Sequence, residues 1–186
     1  MLDEHNTRLP PPANWQDFEG LCLDLLGEIY GIDQVQKYGR PGQGQSGIDI
    51  IIGPDPKNDW IGVQCKKKDV YPEKCLRESE VQREVTNATA FKPTISQYIV
   101  VTSAPRDKKI QDLAMEITER HQGEGKFSVR IWSWDDIEEL LRKTPAVLKR
   151  WYGPYQISDI VGTIETKVTS EHEETRTVIE AGFRQQ

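Results

Sequence analysis

The chain has 186 residues, 36% of them hydrophobic and 29% charged, with a net charge of −6. These are the values of a soluble globular protein, long enough for one domain with a real core and an appendage. No apolar run approaches the ~20 residues that span a bilayer, and the opening "MLDEHNTRLPPP" lacks the basic and apolar regions of a signal peptide. The acidic total argues against a protein that coats nucleic acid. It leaves room for a nuclease, whose acidic metal site offsets its own basic groups.

The three cysteines, Cys22, Cys65 and Cys75, have no zinc-like spacing. Their odd number, without a secretion signal, points to reduced thiols and a cytoplasmic location. Cys22 and Cys65 fall at apolar positions and read as core filler.

In chain order, "RLPPPAN" is a proline-stiffened extended lead-in. Asn14 is placed to cap a helix from Trp15 to Tyr30, and Gly31 to stop it. At roughly 100° per residue, Trp15, Phe18, Leu21, Cys22, Leu25, Leu26 and Ile29 form a broad apolar face. Glu19 projects at its margin, between Leu26 and Tyr30. A short strand near Val35–Tyr38 leads to the glycine-rich "GRPGQGQSG", then a strand at Ile48–Ile52 and the turn signal "GPDPKND". "WIGVQCKKK" alternates from Trp60 to about Lys67, with Ile61, Val63 and Cys65 on one face and Gly62, Gln64 and Lys66 on the other.

Further on, the pattern predicts a weakly amphipathic helix over Glu73–Phe91 and a buried strand over Gln97–Ser103. It then predicts a helix in "DKKIQDLAMEITERH", a strand in "FSVRIWSW", and closing helices in "DDIEELLRK" and "PAVLKRWYG". Trp132, Trp134 and Trp151 read as packing residues. The fold class is α/β, a mixed central sheet covered by helices on both sides. Residues 1–153 form the domain. Residues 154–186, rich in Thr and Glu with loosely heptad-like Val and Ile, read as a polar linker or helical tail. The ending suggests a piece of a longer protein.

Asp49 is the anomaly. Aspartate is depleted from strands, and burying a polar group unpaired costs roughly 2–7 kcal/mol. Paired as a hairpin across "GPDPKND", the two strands can bring Asp49 within reach of Gln64 and Lys66. Glu19, on a helix packed against this sheet, can point at the same spot. Two carboxylates and an amide oxygen suit a hard divalent cation such as Mg2+, with Mn2+ as a substitute. Lys66 would stabilise the attacking group and the charge developing on phosphorus, the logic of metal-assisted phosphodiester hydrolysis. The bland alternatives are a strand-end Asp49 salt-bridged to Lys66, and a solvated Glu19. "GRPGQGQSG" is no Walker loop, since no Gly-Lys-Ser/Thr follows. It reads as a flexible turn or a DNA-facing loop, with Arg40, Gln43, Gln45 and Ser46 near phosphate. Lys67 and Lys68 are further candidate phosphate contacts.

"GQSGIDI" followed by "GVQCKKK", behind a helix reading "WQDFEGLCLDLL", resembles the Mrr-like branch of the PD-(D/E)xK restriction-endonuclease superfamily. That branch carries an Asp, then Gln-x-Lys on the next strand, and a Glu on the first helix. These match Asp49, Gln64-Cys65-Lys66 and Glu19. Ile48 stands where the superfamily name has Pro, and Gln64 replaces its second carboxylate, as is normal in this branch. The resemblance spans Asn14 to about Ser103, or at its widest Asn14 to Gly153. It implies a restriction-endonuclease-like fold and divalent-metal-dependent cleavage of double-stranded DNA, within a restriction or anti-phage defence protein. Cutting both strands implies a homo-oligomer, and the tail implies a downstream sensor or NTPase domain. The readings from other classes are a catalytically silent module of this fold that binds DNA or a partner protein, and a metal-dependent RNase.

Overall fold

The computed structural model describes residues 8–39, 46–54, 59–69 and 74–153. The chain divides into two units, Met1–Val147 and Leu148–Gln186. The expected tail at 154–186 lies outside the described residues.

Helix α1 covers Trp15–Tyr30, as its punctuation predicts. The Asn14 carboxamide oxygen accepts from the Asp17 N–H at 2.8 Å, and Gly31, at φ 100°, closes the far end. Its apolar face is narrower than the periodicity suggests. Phe18, Leu21, Cys22, Leu25 and Leu26 are buried, whereas Trp15 and Ile29 are 50% and 40% exposed. Both lie at helix ends.

Strands β1 (Val35–Lys37), β2 (Ile50–Ile52) and β3 (Trp60–Lys66) form an antiparallel meander. Strands β4 (Ile95–Thr102) and β5 (Ser128–Trp132) then add in parallel, giving a five-stranded sheet in the order β1-β2-β3-β4-β5. Each parallel step needs a crossover, and helices α2 (Glu78–Ala88) and α3 (Lys108–Gly123) supply the two. Helices α4 (Trp134–Lys143) and α5 (Pro145–Tyr152) follow. This is the mixed α/β sheet flanked by helices that the sequence predicts.

Several element boundaries differ from expectation, among them β4, which runs Ile95–Thr102 rather than 97–103. Helix α2 is shorter than 73–91: the Glu80 carboxylate accepts from the Arg77 N–H at 3.0 Å, which sets its start at Glu78. Strand β5 stops at Trp132 because Ser133 caps α4, its hydroxyl accepting from the Asp136 N–H. Strand β2 begins at Ile50, because Ser46 and Gly47, at φ 50° and 70°, turn the chain just before it. Pairing nonetheless reaches one residue further: the Asp49 N–H donates to the Val63 carbonyl at 2.8 Å, and the Tyr38 N–H donates to the Asp49 carbonyl at 2.7 Å.

One core packs Ile48, Ile51, Tyr98 and Val100 against Val81, Val85 and Ala88 of α2 and Ile110, Ala114 and Ile117 of α3. A second set of buried side chains includes Phe18 of α1 and Trp134 of α4, whose rings lie 6.4 Å apart. The register Ile51↔Gly62 matters locally. A β-carbon on Gly62 would come 2.7 Å from Ile48 Cδ1, so only glycine lets Ile48 pack there.

Candidate active site

Strand register sets the first relationship. With Ile50 opposite Val63, the next position back places Asp49 opposite Gln64. The Gln64 amide Nε2 donates to Asp49 Oδ2 at 2.5 Å, and the Cys65 N–H donates to the same oxygen at 2.7 Å. Gln64 is only 7% exposed, so these bonds form largely out of water.

A cleft of about 470 Å³ opens here, lined among others by Trp15, Glu19, Lys37, Asp49, Gln64, Lys66 and Lys67. All four residues predicted for catalysis therefore border one cavity. Burial pushes the Asp49 carboxyl up to about 6, opposed by the Cys65 N–H, and the negative charges of Glu19 and Glu84 add to the rise. Lys66 acts in the opposite direction.

Glu19 is in the cleft but is not hydrogen-bonded to Asp49 or Gln64. Its Oε1 meets Lys37 Nζ of β1 at 2.8 Å. Lys66 does not salt-bridge Asp49 either: its Nζ lies 2.9 Å from Glu84 Oε1 of α2. Sequence reasoning missed Glu84, which is 5% exposed. The signal was available, since Glu84 falls on the same helical stripe as Val81, Val85 and Ala88. A carboxylate on an apolar stripe needs a partner, and Lys66 with Arg83 (3.0 Å) provides it.

Cys65 alternates to the other side of β3, where its thiol meets that of Cys22. That hydrogen bond and burial push the Cys65 thiol up, which suits packing rather than nucleophilic attack. Of the candidate DNA contacts, Arg40, Gln43 and Gln45 lie outside the described residues. Ser46 occupies the turn before Asp49, and Lys67 lines the cleft. Lys68 is turned to Glu80 at 2.5 Å, its side chain 14% exposed.

Among the described residues, no group of three or more His, Cys, Asp or Glu side chains is arranged to hold a metal ion. The oxygens in the cleft that could serve a metal are those of Asp49 and Glu19 with the Gln64 amide, all hard donors. This set fits a divalent cation on a further ground: burial, with the negative charges of Glu19 and Glu84, pushes the Asp49 carboxyl up to about 6. A cation would relieve that.

A mixed sheet with an Asp/Gln-x-Lys cleft on adjoining strands has the architecture of a restriction-endonuclease-type nuclease domain. The comparison with families agrees: the model of the Mrr catalytic domain, described as "Restriction endonuclease", matches residues 12–141, and the chain belongs to that family. The family is one of nucleases acting on DNA. Among solved structures, the chain is similar to the DNA modification-dependent restriction endonuclease AspBHI, with 18% identity and a TM-score of 0.47. The match covers 81% of this chain and 35% of that one, so this chain spans about a third of that protein's length. No curated protein matches the sequence. No described helix is long and apolar enough to cross a membrane.

Proposed function

We propose that this domain is a divalent-metal-dependent endonuclease that hydrolyses phosphodiester bonds of double-stranded DNA. The observation that carries this reading is the Asp49–Gln64 pair bordering the same cleft as Lys66, in a chain of restriction-endonuclease family. Asp49, the Gln64 amide oxygen and Glu19 would hold Mg2+ or Mn2+. When bound, the ion supplies charge neutralisation and polarisation of the phosphoryl group.

The chain's own residues do the rest. Asp49 is oriented by two hydrogen bonds on one oxygen, so its carboxylate is pre-organised before substrate arrives. Lys66 presents a fixed positive charge to the phosphate. Glu19, which pairs with Lys37 Nζ at 2.8 Å, would be the third residue to hold the ion, and Lys37 would offer a second cation to the DNA backbone. Lys67, which lines the cleft, would contact the phosphate backbone, with Arg40, Gln43, Gln45, Ser46 and Lys68 as the further candidate DNA contacts.

Residues 1–153 constitute the effector domain of a cytoplasmic restriction or anti-phage protein, with 154–186 leading to a sensor or NTPase domain. Cutting both strands takes two such sites, hence a homo-oligomer on DNA.

The test is plasmid digestion with Mg2+ or Mn2+, comparing wild type with Asp49→Ala and Lys66→Ala. Both substitutions are expected to abolish cutting. Undiminished cutting by both would refute the site. Absence of cutting by every form, alone or in a longer assembly, would favour a silent binding module, and cleavage of single-stranded RNA alone would favour an RNase.

A further inference from the structure

Lys66 is the only cleft lysine bonded to a carboxylate from α2 among the described residues, and the carboxylate it meets is unusual. Glu84 has a side chain 7% exposed, against 23% for Lys66, and its Oε1 is 2.9 Å from Lys66 Nζ. The same Oε1 accepts from Arg83 Nη2 at 3.0 Å and Nε at 3.3 Å. Lys66 lines the cleft and Glu84 does not, so the carboxylate stands behind the ammonium.

Glu84 also abuts the backbone that delivers Asp49. A β-carbon placed on Gly47 would lie 3.1 Å from Glu84 Oε2 and 3.3 Å from its carbonyl oxygen. Gly47 is fixed in turn by Tyr98, whose hydroxyl donates to the Gly47 carbonyl at 2.6 Å. One buried carboxylate therefore touches both arms of the cleft: the Lys66 side chain of β3 and the turn preceding Asp49.

We propose that Glu84 is a positioning residue for phosphodiester cleavage, holding the Lys66 ammonium in the cleft in the orientation that meets the substrate phosphate. This deepens the nuclease reading and rests on it. An ammonium on four flexible methylenes loses much of its freedom when one donor is fixed from behind. The remaining donors then point forward, and substrate binding need not order them. Arg83, 61% exposed at its side chain, adds a second cation on the same oxygen, so Glu84 does not present a bare negative charge to DNA. Burial makes the role specific: a carboxylate here without its lysine would be unpaired on that side, and costly.

The experiment uses the full chain and two variants, E84Q and E84D, with K66A in parallel. E84Q keeps the shape and an acceptor oxygen but removes the charge. E84D keeps the charge and withdraws it by one methylene. Plasmid cleavage with Mg2+ is read as kcat and KM, beside DNA affinity and Tm. Both variants are expected to lose about tenfold or more in kcat, with KM and affinity within about twofold, the pattern of an interaction made in the transition state. A folded E84Q or E84D cutting at wild-type kcat overturns the proposal, as does a loss carried by KM. If K66A itself cuts normally, the nuclease-site reading fails; if K66A is dead and E84Q intact, only the role of Glu84 fails.

A second readout needs no activity. In metal-free protein, limited lysine acylation is followed by mass spectrometry at Lys66 and, as a control, at Lys108, whose side chain is 86% exposed. Acylation at Lys66 is expected to rise several-fold in E84Q while Lys108 stays constant. Equal labelling of Lys66 in both proteins would show that Glu84 does not hold it.

Discussion

Gln64 donates its amide hydrogen to Asp49 Oδ2 over 2.5 Å, across two antiparallel strands whose register places them face to face. The bond explains how a carboxylate survives beside three consecutive isoleucines. It also makes Gln64 more than a stand-in for a second carboxylate, because an acid there would face Asp49 as a like charge.

That contrast gives the first prediction. In metal-free buffer at pH 8, Gln64→Glu replaces a hydrogen bond by carboxylate repulsion in a buried setting, at a cost of about 1–3 kcal/mol. Its Tm is expected to fall below that of wild type. Adding Mg2+ is expected to raise the Tm of Gln64→Glu by more than it raises that of wild type. Thermal melts with and without the ion check this. An equal Mg2+ response in the two proteins would count against Gln64 as a metal-facing position.

Burial of Asp49 makes stability depend on pH. Its carboxyl rises from 3.8 to about 6 on folding, so the folded state holds the proton more tightly than the unfolded chain. Stability is therefore full below the unfolded value and declines as pH climbs through about 6, a loss of roughly 3 kcal/mol at about 1.4 kcal/mol per unit. Asp49→Asn removes the charge and keeps an acceptor oxygen. It is expected to melt higher than wild type at pH 8 without metal, to lose that advantage at pH 4, and to cut no DNA. A variant no more stable at pH 8 would show that burial does not strain this carboxylate.

The same raised carboxyl predicts proton release. At pH 6 about half of the Asp49 groups carry a proton that a divalent cation must displace, and at pH 8 almost none do. Calorimetric titration with Mn2+ or Mg2+ in buffers of different ionisation enthalpy is expected to report about half a proton released at pH 6, fading towards zero at pH 8. In Asp49→Asn that pH-dependent component disappears. Binding with no proton exchange at pH 6 would place the ion elsewhere.

The legible parts of this molecule were those encoded locally. Asn14 and Gly31 punctuate α1 by their own chemistry, and the β2/β3 alternation allowed Asp49 to face Gln64 before any register was known. The partners of Glu19 and Lys66 were not legible, because Lys37 and Glu84 come from other elements and no local pattern links them. Helical periodicity gave the direction of the α1 apolar arc but not its width, which depends on what covers each end, and Trp15 and Ile29 are left partly uncovered. Glu84 stood on an apolar stripe in plain view. Reading it required asking what a buried acid pairs with.

The turn before Asp49 supplies the final prediction, with an internal control. Gly47 and Gly125 have nearly the same backbone, φ 70° and 65°, so alanine at either costs about 1–2 kcal/mol of left-handed strain. They differ in surroundings. A β-carbon on Gly125 meets nothing within 4 Å, whereas one on Gly47 comes 3.1 Å from Glu84 Oε2 and 3.2 Å from Asn87 Cβ. Gly125→Ala is expected to lower Tm by strain alone and leave cleavage unchanged. Gly47→Ala is expected to lower Tm further and to reduce kcat, since the carboxylate behind Lys66 must shift to admit the methyl group and the turn carries Asp49. Denaturant melts and plasmid cleavage on both variants decide it. If the two behave alike in stability and in activity, the crowding of Gly47 against Glu84 has no part in shaping the cleft.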